Sequence, residues 1–179
     1  MIRIICRSLS KNRGTTILAV NPTFAQLLRS PTLLLAFGFG SGLSPKAPGT
    51  MGTLAAIPLW WLLAQLPLTS YLIVVSIAAV VGIAICGRAA DQMGVHDHGG
   101  IVWDEFVGFW IAMAALPITW QSVVLGFVLF RVFDILKPWP ISWLDKKVSG
   151  GFGIMIDDVI AGLAAAVVIY FLGYFGLIL

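Results

Sequence analysis

The sequence predicts an all-α integral membrane protein: a compact bundle of about four to five transmembrane helices behind an N-terminal interfacial or re-entrant segment. Three observations predict it. Of 179 residues, 59% are hydrophobic and only 11% are charged, whereas a soluble domain carries about 25% charged residues. The apolar residues fall into runs near 51–66, 71–87, 101–116, 120–136 and 156–179. Every Lys and Arg lies on one side of those runs or at its boundary, and the turns Pro67–Ser70 and Pro117–Thr119 carry no charge. A net charge of +3 spread over scattered basic residues makes no stripe for nucleic acid, so no nucleic-acid partner is expected. It reads as membrane topology with a preference for anionic headgroups.

Residues 1–30 hold Arg3, Arg7, Lys11, Arg13 and Arg29 and no acidic residue. No long apolar stretch follows promptly enough for a signal peptide. A basic cytoplasmic tail on the membrane surface is expected there, with residues 31–179 as the membrane-embedded domain. Pro31–Phe37 is apolar but too short to cross, which gives the interfacial or re-entrant segment. Gly38-Phe-Gly-Ser-Gly-Leu-Ser-Pro-Lys-Ala-Pro-Gly-Thr-Met-Gly-Thr53 is either a flexible connector or a backbone nest for an anion, with Lys46 adding charge. It is not a P-loop, because the Gly-Lys-Ser/Thr order is missing.

Several runs are about sixteen residues, or about 24 Å of helix against an apolar thickness of about 30 Å. They span only if loop residues continue the helices or the bilayer thins. The long polar connections 88–100 and 137–155 fall on the side of the 38–50 loop. By the positive-inside rule that side is cytoplasmic and the C-terminus points outward. Cys6 and Cys86, the only cysteines, have no spacing that suggests a disulfide or a metal knuckle.

All the acidic residues fall on this polar side. Asp104 and Glu105 open the third run, Asp134 lies near the end of the fourth, and Asp157 and Asp158 start the fifth. A carboxylate in a membrane helix costs roughly 2.5–3.5 kcal/mol on insertion scales, so such a group calls for a role. Arg131 and Asp134, three apart, share a helical face, and Pro138 ends the helix at Lys137. A local ion pair with a snorkelling lysine would explain these three alone. Helix capping would explain Asp157 and Asp158, and the small residues Gly108, Ala161 and Gly162 permit close helix packing. Gly150-Gly-Phe-Gly153 reads as a turn or a second backbone approach to an anion.

Asp104, Glu105, Asp134, Asp157 and Asp158 thus meet near one boundary from three helices. Hard oxygen ligands without cysteine suit Mg²⁺ with phosphate oxygens, and Arg131, Lys137 and Lys46 are the cations for a phosphate. Metal-assisted phosphoryl chemistry at a membrane surface is the expectation. His96 and His98 read as part of an exposed polar loop, with Asp97 near the site. Trp60, Trp61 and Trp120 at the outer boundary, and Trp103, Trp139 and Trp143 at the inner one, read as an aromatic belt. The rival reading is a small ion or metal transporter using the same carboxylates; a structural subunit is a third.

Four motifs carry a resemblance. They are Gly40-Ser-Gly-Leu-Ser-Pro-Lys-Ala-Pro-Gly-Thr-Met-Gly-Thr53, Ile101-Val-Trp-Asp-Glu-Phe-Val-Gly108, Phe130-Arg-Val-Phe-Asp-Ile-Leu-Lys-Pro-Trp-Pro-Ile141 and Gly153-Ile-Met-Ile-Asp-Asp-Val-Ile-Ala-Gly162. In this order, over residues 35–165, the chain resembles the phosphatidylglycerophosphatase A family of bacterial inner-membrane lipid phosphatases. The resemblance implies Mg²⁺-dependent removal of the terminal phosphate from phosphatidylglycerol phosphate at the cytoplasmic face. It makes Asp104, Glu105, Asp134 and Asp158 catalytic and Asp104, Glu105, Asp134, Asp157 and Asp158 metal ligands. Lys46, Gly49, Thr50, Arg131 and Lys137 become the substrate contacts. The chain departs from the pattern at Gly52-Thr53, at Asp97-His98 and in its long basic tail. Water attack and an aspartyl-phosphate intermediate both remain open. Neither a Cys-x₅-Arg loop nor a histidine-phosphatase pattern is present.

Overall fold

The computed structural model describes residues 21–95, 98–139 and 141–175. Arg3, Arg7, Lys11 and Arg13, Cys6, His96 and Asp97 lie outside these described residues. The described chain is helical, with no strand among the described residues.

Two short helices, α1 (Phe24–Arg29) and α2 (Pro31–Ala36), come first. Ser30 links them and caps α2 by accepting from the Leu33 N–H, with proline at the first helical position where its missing N–H costs nothing. Phe24–Arg29, which the sequence places in the basic tail, therefore belongs to the packed body, with Leu27 fully buried. Neither helix is long enough to cross a bilayer.

The glycine-rich stretch is a packed structure rather than a loose connector. A 3₁₀ segment, Gly38–Leu43, turns sharply through positive φ at Gly38, Phe39 and Gly40. The Val102 N–H donates to Ala36 O at 2.8 Å, and Gly42 lies so close to the Gly100 carbonyl that a side chain would not fit. Ala47 then takes a left-handed turn and Pro48 starts α3 (Pro48–Leu63).

The remaining helices are α4 (Leu68–Met93), α5 (Trp103–Ala112), α6 (Trp120–Leu136), α7 (Ile141–Lys147) and α8 (Gly150–Tyr174). Three differ from the apolar runs by four residues or more at one end. Helix α4 continues past residue 87 to Met93, because Arg88, Ala89, Ala90, Gln92 and Met93 are helix formers and the left-handed Gly94 is the stop. Helix α5 ends at Ala112, not 116, since the chain turns through the positive φ of Ala115 before Pro117. Helix α8 starts at Gly150, six residues before the apolar run. Gly151 and Gly153 are helical, not a turn: Gly151 packs on the backbone of α4 at Ile83 and Gly87, and Gly153 on the Val148 carbonyl. Helix α7 occupies part of the connection read as polar loop.

Among the described residues, two helices are long and apolar enough to cross a membrane, Leu68–Met93 and Gly150–Tyr174, with mean hydropathies of 2.4 and 2.1. Helix α8 packs against α4, α5, α6 and α7, while α5 lies among α3, α4, α6 and α8. Phe106, Phe109, Phe130, Met113 and Met155 fill the space between them. Outward faces are apolar: Ile73, Ile77 and Val80 on α4, Val124, Val128 and Ile135 on α6, Val167 and Phe171 on α8. Contiguous apolar surface of this extent suits hydrocarbon better than water.

Trp61, Trp120, Trp139 and Trp143 are exposed as an aromatic belt requires, but Trp60 is buried and Trp103 half-buried. Trp103 is drawn inward by its contact with Gly82 on α4.

Candidate active site

The acidic residues converge where α5 begins. Asp104 and Glu105 occupy the first turn of α5. Asp158, buried on α8, faces them, and one carboxylate oxygen from each of Asp104, Glu105 and Asp158 lies within 4.8 Å of the other two. Helices α5 and α8 come this close because Gly108 and Gly162 meet backbone to backbone. A Cβ on Gly108 would lie 2.7 Å from the Asp158 carbonyl, and one on Gly162 would strike the Gly108 carbonyl. Asp157 and Asp158 lie about two turns inside α8, so helix capping does not account for them.

The other two predicted ligands are paired with cations. Asp134 forms a salt bridge with Arg131, one helical turn before it on α6. The Arg131 Nη1 also lies 3.9 Å from Glu105 Oε1. Lys137, the left-handed C-cap of α6, donates from Nζ to Asp157 Oδ2 at 2.6 Å. The sequence places Lys137 on the substrate phosphate; here its ammonium is on a carboxylate.

Gly49, in the first turn of α3, forms the opposite wall. A Cβ there would strike Glu105 Oε1 and lie 3.2 Å from Arg131 Nη1. Thr53 is fully buried and donates its hydroxyl to the Gly49 carbonyl at 2.9 Å. Sequence reasoning gave Thr53 no role, although a hydroxyl one turn after a glycine was the available signal. Thr50 is half-buried beside Gly49. Lys46 is exposed, and no described contact ties it to the carboxylates.

A hard divalent cation fits this donor set. The three converging groups offer oxygen only, and Glu105 Oε2 is buried with no hydrogen-bond partner among the described residues. Three carboxylates gathered away from water repel one another unless a cation compensates them. Arg131 Nε is likewise buried and without a hydrogen-bond acceptor among the described residues. The arrangement therefore offers a metal seat beside an anion donor.

Residues 34–173 match the family model described as Phosphatidylglycerophosphatase A. The chain is 55% identical to phosphatidylglycerophosphatase A of Escherichia coli over 148 residues, 82% of this chain and 86% of that one. It is 49% identical to the Haemophilus influenzae protein of that name, covering 86% of this chain and 96% of that one. A Bacteroides thetaiotaomicron protein provisionally named a phosphatidylinositol-3-phosphatase is 38% identical, covering 76% of this chain and 90% of that one. No solved structure matches the chain. The acidic and glycine-rich motifs that build the site all fall inside the matched span, and the chain belongs to the phosphatidylglycerophosphatase A family.

Proposed function

We propose that the protein hydrolyses phosphatidylglycerol phosphate to phosphatidylglycerol and inorganic phosphate at the cytoplasmic face of a bacterial inner membrane. The observation that carries this is the carboxylate trio of Asp104, Glu105 and Asp158 within 4.8 Å, set beside Arg131 at one end of an apolar bundle. The names of the two most similar relatives above supply the substrate. Helices α3, α4, α6 and α8 cross the bilayer, and α5, about 15 Å long, ends within it. The basic and acidic residues share one side, which the positive-inside rule makes cytoplasmic.

Asp104, Glu105 and Asp158 are the residues that would hold Mg²⁺. When bound there, the ion supplies Lewis-acid stabilisation of charge on the phosphoryl oxygens. Arg131 donates to a phosphate oxygen, with its orientation fixed by Asp134. The first-turn N–H groups of Gly49 and Thr50 have no acceptor within α3 and are further donors available to the same anion. The substrate phosphate replaces the water or the neighbouring carboxylate that these donors would otherwise seek. A water oxygen forms the new bond to phosphorus, the ester P–O bond breaks, and a carboxylate of the group accepts the water's proton. The carboxylate that took the water's proton gives it to the departing glycerol oxygen, so the alcohol leaves neutral and the carboxylate is restored. The outward apolar faces of α4 and α8 leave the acyl chains in the bilayer while only the headgroup enters.

Phosphate release from phosphatidylglycerol phosphate by purified protein in detergent tests this, with Mg²⁺, with chelator, and with Asp104→Asn beside wild type. The expectation is release that needs both the metal and Asp104. No release by folded wild type across several divalent cations overturns the assignment. A phosphoinositide monophosphate, run in parallel because of the third relative, distinguishes the two headgroups. Trapping a phosphorylated aspartate during turnover would replace water attack with carboxylate attack.

A further inference from the structure

We propose that Tyr71, Trp103 and Trp110 are positioning residues that hold α5 at one height and rotation, so that Asp104 and Glu105 meet Asp158. The short helix is tied to its neighbours by three side-chain donors. Trp103 Nε1 donates to Ala78 O on α4 at 3.2 Å. Trp110 Nε1 donates to Ala56 O on α3 at 3.1 Å. The Tyr71 hydroxyl, on α4, donates to Trp110 O at 2.6 Å.

The Tyr71 bond meets a specific need. The last carbonyls of a helix have no partner in the helix itself, and at membrane depth no water replaces one. Phe109 O accepts from the Met113 N–H and Ile111 O from the Ala114 N–H; Trp110 O takes the Tyr71 hydroxyl. The C-terminal end of α5 is thus fixed to α4, and its N-terminal end is fixed to α4 through Trp103.

The rings support the same arrangement. Trp103, Phe106 and Trp110 lie at helical spacing on one face of α5. Trp103 stacks on Phe106 at 5.8 Å, and each meets the Trp110 ring edge-on at about 6 Å. Gly82 on α4 makes the slot for Trp103, since a Cβ there would lie 2.8 Å from its ring. Trp103 immediately precedes Asp104, so a shift of the ring is transmitted to the carboxylate through one peptide unit. Ordinary core packing would explain buried rings. It does not require that every one of these donors end on a backbone carbonyl.

The kinetic arm of the test rests on the phosphatase reading; the metal-binding arm does not. Full-length Tyr71→Phe and Trp103→Phe are compared with wild type in detergent. Trp60→Phe is the control: its ring is fully buried and its N–H has no hydrogen-bond partner among the described residues. The readouts are kcat and KM for phosphate release, and Mn²⁺ affinity by electron paramagnetic resonance. Displacement by about 1 Å can cost on the order of 10²-fold in rate. Tyr71→Phe is therefore expected to lower kcat about tenfold and Trp103→Phe tenfold to a hundredfold, with KM within about twofold and weaker Mn²⁺ binding. Trp60→Phe should change neither readout, even where it lowers thermal stability by as much. Wild-type kcat and Mn²⁺ affinity in both variants, or an equal loss in Trp60→Phe, overturns the proposal. If wild type releases no phosphate but binds Mn²⁺, the affinity comparison alone decides. A wild type that does neither overturns it, since there is then no site to position.

Discussion

Gly49→Ala separates catalysis from stability. A methyl group at this position strikes Glu105 Oε1 and crowds the Arg131 guanidinium at 3.2 and 3.3 Å. The struck atom is the end of a flexible side chain, so the fold can absorb the change by rotating Glu105. To reach ordinary separation the oxygen retreats by roughly 1 Å. In the first turn of α3 alanine is at least as good a helix former as glycine, so the unfolding temperature in detergent should hold or rise slightly. The trio, however, loses its 4.8 Å closure, and misplacement by about 1 Å costs on the order of 10²-fold. That is about 2.7 kcal/mol of barrier. The assay is initial-rate phosphate release at saturating lipid in mixed micelles, beside a thermal melt of the same sample. A variant with wild-type kcat and an unchanged melt would refute the reasoning, because Glu105 would then be free to leave its place without consequence.

Four further substitutions, two of them studied as a pair, test separate parts of the site. Asp158→Asn keeps shape and burial but removes one of three converging charges. Mn²⁺ affinity should fall roughly ten- to a hundredfold, while the melt in chelator rises because repulsion is relieved; a lower melt would argue against crowded carboxylates. Gly162→Ala puts a methyl group on the Gly108 carbonyl and carbon, and since backbone cannot rotate away, α5 and α8 must part. About 1–3 kcal/mol of stability should be lost, read as a lower denaturation midpoint. Lys137→Met and Asp157→Asn, singly and together, should couple by about 0.5–3 kcal/mol, toward the low end because Lys137 is 30% exposed. Additive losses would make that ion pair incidental.

The apolar runs and the five acidic positions were legible in the sequence because both are local facts. So was the stop at Lys137, which Pro138 imposes and the left-handed φ of Lys137 bears out. The assignment of charges was not local. Gly151 and Gly153 read as breakers by propensity, but in the fold they are the contacts that let α8 begin early. That start moves Asp157 and Asp158 from a helix end to the interior. The convergence of Asp104, Glu105 and Asp158 depends on the Gly108–Gly162 approach, of which the sequence shows only two small residues. Tyr71 carried no signal at all. It lies in an apolar run, and only the end of α5, fixed by the turn at Ala115, leaves a carbonyl for it.

Two pairs of adjacent acids behave differently, and helix geometry explains it. Neighbouring residues on a helix point about 100° apart, so two aspartates in sequence cannot serve one point. Asp157 and Asp158 accordingly divide: Asp158 joins the trio and Asp157 goes to Lys137. Asp104 and Glu105 are also adjacent, yet both reach the trio. The extra methylene of Glu105 lets its carboxylate return toward the point that Asp104 faces, and Gly49 leaves the room for it. Arg131 lies between Glu105 and Asp134, and Asp134, though paired with it, still adjoins Asp158. The five carboxylates are thus a converging trio, Asp134 that joins Asp158 to Arg131, and Asp157 that holds Lys137. Glycine opposite glutamate at the mouth is what makes an Asp-Glu pair work where an Asp-Asp pair must split.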